Sequence, residues 1–194
     1  MHISSNLIKA RNLFSVNRTF DEACSTRFSI VVDGATNIIS QGQNITPSES
    51  IVSAEKTVVW AANRDFPVKG TSAVLTINHE GNLVIIDGRI TYRVSENSLS
   101  QNTSALLLDS GNLIVRNEKF DRLWQSFDYP SNTFLPGMKL GYNLRTGKVW
   151  SLTSWKNAED PSLGTAELKM DPKQPNEYFL MSGSQMDTCP YGAG

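Results

Sequence analysis

The apolar positions of this chain cluster in short runs, and two pairs of these runs have similar sequences and lie thirty residues apart. Each copy has an apolar run, a polar turn that ends in Gly-Asn, and a second apolar run; the copies span residues 75–85 and 105–115. Apolar runs on both sides of a Gly-Asn turn are typical of two antiparallel strands joined as a hairpin. Because a lone hairpin is only marginally stable in water, the repeat predicts an all-β fold that encloses a core between its copies.

Further short apolar runs predict strands on both sides of this repeat. The additional strands are expected at residues 28–32, 37–39, 49–52, 57–60, 149–155, 165–170 and 177–181. Trp60 carries a large apolar surface, so we expect it to anchor the core. Residues 1–27 are polar and mixed, which predicts an unstructured N-terminal segment, and residues 186–194 have no pattern, which predicts a disordered tail.

Composition and charge exclude several classes of function. The net charge is −1 at pH 7, whereas nucleic acids and anionic membranes attract a concentrated positive field. No apolar run reaches the roughly 18 residues of a spanning helix, so no membrane segment is expected. The start of the chain also lacks the apolar stretch of a signal peptide. Cys24 and Cys189 lie in unpatterned tails, so we expect no disulfide.

The sequence offers little support for catalysis. His2 stands at the terminus and His79 in a hairpin turn, and these are the two histidines of the chain. It contains no nucleophile elbow, no phosphate-binding loop and no Cys/His spacing typical of a metal site. We therefore expect no enzyme activity, no cofactor and no metal.

Five strings of residues, in the same order, resemble the extracellular region of plant S-locus glycoproteins and of S-domain (G-type lectin) receptor-like kinases. They lie at residues 57–65, 107–113, 123–130, 135–141 and 152–156. That region begins with a bulb-type lectin domain, a β-prism of three four-stranded sheets around a pseudo-threefold axis. The resemblance implies such a prism with pseudo-threefold repeats over residues 28–156, and the start of a second, S-locus-type lectin-like domain over residues 157–185.

The chain departs from the pattern of this family at two places. The family carries an additional pair of strands where Ala54 runs directly into Glu55, so the prism is expected to be incomplete, with an internal deletion. The similarity also stops after Gln185, before any cysteine-rich, transmembrane or kinase segment. We therefore expect a shortened ectodomain without the kinase domain of the related receptors.

The resemblance also implies where a sugar would bind. Bulb-type lectins bind mannose through a strand motif, Gln-x-Asp-x-Asn-x-Val-x-Tyr, whose alternation places the five side chains on one face. The aligned positions are Asn78, Glu80, Asn82, Val84 and Ile86 in the first copy, and Leu108, Ser110, Asn112, Ile114 and Arg116 in the second. These residues predict a degenerate carbohydrate site of Asn78, Glu80, Asn82, Val84 and Asn112. The alternative, which we favour, is that Asn82 and Asn112 only shape the Gly-Asn turns.

Three sequons predict N-glycosylation at Asn17, Asn44 and Asn102. The family acts outside the cell, as secreted or plasma-membrane proteins, although this chain has no clear export signal. The sequence thus favours a non-catalytic recognition module whose partner is a glycan, a protein or peptide, or a second copy of the chain. Two alternatives remain open: a working mannose lectin and a fragment without function.

Overall fold

The regular secondary structure of the computed structural model consists almost entirely of antiparallel strands, which confirms the all-β prediction. It describes residues 14–20, 26–32, 38–45, 58–68, 72–96, 100, 102–158, 160–171, 174–183 and 185–189. The helical structure in these ranges is a single 3₁₀ turn at Ser126–Asp128. The described part of the chain holds no helix with the length and apolarity needed to cross a membrane.

The first copy of the repeat forms the centre of one sheet, here called the first repeat sheet. Its strands are β4 (Asn44–Ile45), β6 (Val74–Ile77), β7 (Leu83–Asp87) and β8 (Ile90–Arg93), in the order β4-β6-β7-β8. Leu75 lies opposite Ile85 and Ile77 opposite Leu83, so the predicted hairpin has formed.

The second copy forms an equivalent sheet, the second repeat sheet. Its strands are β3 (Ile38–Ser40), β9 (Ser104–Leu107), β10 (Leu113–Arg116) and β11 (Arg122–Gln125), in the order β11-β10-β9-β3. A tight turn in which Gln43 N donates to Ser40 O at 3.0 Å separates β3 from β4. These neighbouring strands therefore enter two different sheets.

A third sheet, the N-terminal sheet, corrects part of the prediction for residues 1–27. Residues 14–20 are not unstructured but form β1 (Phe14–Phe20), which pairs with β2 (Thr26–Val32), and β2 pairs with β5 (Val58–Ala61). Apart from Arg18, the sequence of β1 alternates apolar and polar residues, which suits a strand. This sheet has three strands in the described residues, and the Ala54–Glu55 junction and the predicted strand at 49–52 lie outside them.

The core lies between these three sheets, because its buried apolar side chains come from strands of all three, with β5 contributing from the N-terminal sheet. Trp60 is 6% exposed, which confirms it as a core anchor. Its ring meets Trp124 edge to face at 5.6 Å, and its Nε1 donates to Tyr129 O at 2.7 Å. The buried apolar cluster comprises Ile39, Val59, Trp60, Val68, Ala73, Leu75, Ile77, Leu83, Ile85, Ala105, Leu107, Leu113, Val115 and Trp124.

Beyond these three sheets, the described residues also form a short hairpin and a further sheet. The hairpin pairs β12 (Gly141–Tyr142) with β13 (Val149–Trp150). The C-terminal sheet consists of β14 (Leu152–Trp155), β15 (Leu163–Asp171), β16 (Gln174–Ser182) and β17 (Gln185–Cys189), paired in chain order.

Two predictions about this end of the chain need comment. Strand β17 corrects the predicted disordered tail over residues 186–189, because these residues pair with β16. Strand β14 lies within the predicted lectin segment 28–156 yet belongs to the C-terminal sheet, so the boundary at residue 156 stays a prediction. The absence of a disulfide also stays untested, since Cys24 lies outside the described residues.

Candidate functional site

The turn of the first repeat hairpin, residues 78–82, is held together by the side chain of Asn78. Its Oδ1 accepts hydrogen bonds from the backbone N–H groups of Glu80 (3.1 Å) and Asn82 (2.9 Å). Asn78 N donates to Asn82 O at 2.9 Å, and Gly81 takes a positive φ of 85° to close the turn. Asparagine side chains stabilise turns in this way. The side-chain amide oxygen of Asn78 is therefore already engaged within the turn.

Glu80 and Asn82 are brought together by the same turn. Asn82 is 3% exposed, and its Nδ2 donates to Glu80 Oε2 at 3.3 Å. Arg93, on the neighbouring strand β8, donates to the same carboxylate oxygen at 3.3 Å. Val84 is buried at 1% exposure and offers no surface to a ligand. Glu80 is thus partly exposed, with 36% of its side chain accessible, and it is paired with Arg93, which no local sequence pattern indicates.

In the second copy, Asn112 is buried and engaged at both ends of its amide group. Its Nδ2 donates to Gln125 Oε1 at 3.0 Å. Its Oδ1 accepts hydrogen bonds from Ser126 Oγ and Phe127 N, each at 3.3 Å. Gln125 and Ser126 lie in the string at residues 123–130, but their sequence positions alone do not indicate that they meet Asn112.

The two copies share a structural feature beyond the repeated sequence. Ser95 Oγ accepts a hydrogen bond from Leu83 N at 2.8 Å, and Ser126 Oγ accepts one from Leu113 N at 3.0 Å. Both serines are buried, and each satisfies the first backbone N–H of the second strand of its hairpin. Buried N–H groups need such partners. The polar groups around Asn82 and Asn112 therefore serve the fold of each repeat.

Two clefts lie beside these hairpins. One, of about 330 Å³, has mostly apolar walls and is bounded by Phe66, Tyr92 and Arg93. A smaller one, of about 170 Å³, lies among Trp60, Trp124 and the loop that carries Arg64.

Arg64 connects the prism to the C-terminal sheet. Its Nε donates to Pro161 O at 2.7 Å, and its Nη2 donates to Thr153 O (3.1 Å) and Ser154 O (2.8 Å). Burial lowers the pKa of Arg64, and the neighbouring carboxylate of Asp65 raises it. Arginine stays charged in proteins in spite of such shifts. The bonds to carbonyl oxygens are therefore charge-assisted and are among the stronger contacts between the two parts.

The glycosylation sequons differ in what the structure describes of them. Asn102 is exposed in a bend with a φ of 54°, and its Nδ2 donates to Glu118 Oε2 at 3.0 Å on the surface. Asn44 is exposed on the edge strand β4. Asn17 lies on β1, where the structure describes the backbone alone.

Comparison with known proteins gives a consistent set of relatives. Residues 57–156 match the family model described as D-mannose binding lectin. The chain is 43% identical over 129 residues to a G-type lectin S-receptor-like serine/threonine-protein kinase of Arabidopsis thaliana, covering 63% of this chain and 15% of the kinase. It is 38% identical over 138 residues to an S-locus-specific glycoprotein of Brassica oleracea, covering 66% of this chain and 31% of the glycoprotein. It thus spans under a third of these relatives.

Solved structures with a similar arrangement include bulb-type lectins. A monomeric monocot mannose-binding lectin from Gastrodia elata is 18% identical with a TM-score of 0.37, covering 47% of this chain and 96% of the lectin. A lectin from Colocasia esculenta is 15% identical with a TM-score of 0.26, covering 82% of this chain and 99% of the lectin.

Proposed function

Because the chain belongs to the D-mannose binding lectin family, we propose that it is a non-catalytic recognition module that binds a protein or peptide ligand in extracellular signalling. Its similarity to S-domain receptor kinases and S-locus glycoproteins supports this role. Those names describe the relatives, and the ligand of this chain follows from its own residues.

The engagement of Asn112 carries the preference for a protein over a sugar. A mannose site needs several polar side chains that are free to pair with hydroxyl groups, and a buried group left unpaired costs about 1–3 kcal/mol. In the second copy the amide of Asn112 is bound to Gln125, Ser126 and Phe127. In the first copy Asn78 and Asn82 are used by the turn. The retained asparagines therefore support folding.

A mannose lectin remains the second candidate, because one observation favours it. Glu80 and Arg93 form a partly exposed ion pair beside the cleft of about 330 Å³. Charged groups that converge at the edge of a cleft can orient a polar ligand. A fragment without function is less well supported, because the buried cluster draws on all three sheets of the prism.

We predict that mannose does not bind measurably. Each lost neutral hydrogen bond costs about 0.5–1.5 kcal/mol, so a site that keeps few of its contacts is expected to be weaker than about 1 mM. Calorimetric titration of mannose into the intact chain and into an Asn82→Ala variant checks this, with a mannose-binding bulb lectin as the positive control. Heat that the intact chain shows and the variant loses would favour the lectin alternative.

Glycosylation provides a test of which of the three sequons is accessible. When the chain is secreted behind an added signal peptide, we expect Asn102 to be modified first, because its side chain is exposed in a bend. The mobility shift removed by a glycosidase should disappear mainly in Asn102→Gln, and less in Asn44→Gln or Asn17→Gln. A shift unchanged in Asn102→Gln would contradict this prediction.

Homodimer formation also stays a prediction, which sedimentation of the secreted protein would test.

A further inference from the structure

The turn between β10 and β11, residues 117–121, repeats the hydrogen bonds of the turn at residues 78–82. Asn117 Oδ1 accepts from the N–H groups of Lys119 and Asp121, each at 2.9 Å, and Asn117 N donates to Asp121 O at 3.1 Å. The fourth residue of each turn has a positive φ. In the first it is Gly81, and here it is Phe120, with a φ of 64°.

Phe120 is an unusual residue for this position. Glycine adopts a positive φ without steric cost, whereas a bulky side chain brings its Cβ close to the neighbouring carbonyl group. Such strain persists where the surroundings impose it, and it is found preferentially at functional sites. The ring is 73% exposed, so burial in the core does not offset the strain. The fold of this turn would be satisfied equally well by glycine.

A second unfavourable feature lies directly beside this ring. Arg116 and Arg122 occupy opposite positions on the paired strands β10 and β11. Like charges placed opposite each other destabilise a sheet. The guanidinium group of Arg116 lies 4.9 Å from the centre of the Phe120 ring, and Arg122 and Lys119 are exposed. A positive φ at a bulky residue and two like charges on paired strands are both unfavourable, and such features occurring together at one surface are typical of a functional site.

We propose that Phe120, with Arg116 and Arg122, is the contact surface for an acidic, apolar segment of a protein partner. Exposed aromatic and arginine side chains supply much of the binding energy of protein interfaces. The carboxylates of this turn are held by amide groups, since Asp121 accepts from Asn117 Nδ2 and Glu118 accepts from Asn102 Nδ2, both at 3.0 Å. Arg116 is half-buried and donates one long hydrogen bond from Nε to Ser104 Oγ at 3.4 Å, whereas Arg122 is exposed, so we expect Arg122 to be the main contact for acidic groups of the partner.

A glycan fits this surface less well. Sugar sites combine an aromatic ring with polar groups that are placed to meet hydroxyls, and the side chains of Asn117 and Asp121 are already used in hydrogen bonds within this turn. The Phe120 ring beside two arginines instead suits an apolar side chain flanked by Asp or Glu. This inference rests on the proposed recognition function and names the surface that performs it.

Selection from a phage-displayed library of random short peptides tests the inference directly. We expect the selected peptides to combine apolar residues with Asp or Glu, and to bind less tightly as salt is added. Phe120→Gly should weaken their binding by about tenfold or more, and Arg122→Gln should weaken it less. Phe134→Ser, which alters a ring that is 50% exposed outside this turn and outside both clefts, serves as the matched control and should leave binding unchanged.

Unfolding measured on the same variants separates this role from a structural one. Because glycine suits a positive φ, Phe120→Gly should have an unfolding midpoint equal to or above that of the parent chain while its binding is lost. A lowered midpoint with unchanged binding would overturn the inference. Peptides that bind independently of Phe120 would overturn the inference and leave the recognition function standing. If only the binding of glycans on an array depends on Phe120, the inference is overturned and the surface is assigned to sugars. A library that yields no peptide would count against both proposals.

Discussion

Replacing Arg64 by alanine is expected to lower the free energy of unfolding by roughly 3–5 kcal/mol, because hydrogen bonds from a charged group contribute about 1.5–3 kcal/mol each and are not fully additive. The side chain is 9% exposed and bonds three backbone carbonyl groups, those of Thr153, Ser154 and Pro161. Its loss would leave these acceptors without their charged partner. It would also remove a link between the prism and the C-terminal sheet.

Chemical denaturation together with amide hydrogen exchange would measure this effect. Exchange should increase most around β14, where two of the acceptors lie. Arg64→Lys keeps the charge but not the planar fork of donors, so it should recover only part of the stability. Arg145→Ala, at an exposed arginine, is the matched control. If Arg64→Ala and Arg145→Ala have the same free energy of unfolding, then these hydrogen bonds contribute little and other contacts hold the prism and the C-terminal sheet together.

Replacing Gly81 by alanine is expected to destabilise the prism by roughly 2–5 kcal/mol, for two separate reasons. A left-handed conformation costs a residue with a Cβ about 1–2 kcal/mol. The new methyl group would also collide with the carbonyl oxygen of Ser100 and press on the side chain of Thr103, with contacts of 3.0 and 3.1 Å. Overpacking of this kind costs about 1–3 kcal/mol.

Gly88→Ala separates these two contributions. Gly88 has a φ of 59°, and no heavy atom of the described residues lies within 4 Å of a Cβ built there. Only the conformational cost of about 1–2 kcal/mol should therefore remain. Thermal unfolding of both variants checks the difference. Equal losses would mean that the close approach of Ser100 is relieved at little cost.

The sequence alone was sufficient for features that depend on nearby residues. The two repeat hairpins were predicted because apolar runs and Gly-Asn turns act over about ten residues. Strand β1 is not predicted by the sequence, because Arg18 interrupts its alternation and residues 1–27 are polar and mixed overall. The partner of β3 was not predicted at all, since Ile38 pairs with Leu106 and no local pattern specifies so distant a neighbour.

The candidate site shows the same division between local and distant information. The hydrogen bonds of Asn82 to Asn78 and Glu80 lie within one turn, so they fall in the short range that the Gly-Asn signature covers. The engagement of Asn112 by Gln125 and Ser126 depends on strand register, which the sequence does not state. Arg93 was missed for this reason as well, since it meets Glu80 only when β7 and β8 are paired. Side-chain partners between strands therefore needed the three-dimensional structure.

The division of residues 38–45 between two sheets has a consequence during protein synthesis. A ribosome adds about 5–20 residues per second, so Leu75 follows its partner Ile45 by roughly 2–6 s, and Leu106 follows its partner Ile38 by roughly 3–14 s. The first repeat sheet can therefore close while β3 still lacks its neighbour. Once β4 is captured by β6, the short turn at residues 41–43 holds β3 beside the place where β9 will arrive. We therefore expect the first repeat sheet to form before the second in the nascent chain, with β3 unpaired until β9 has been synthesised.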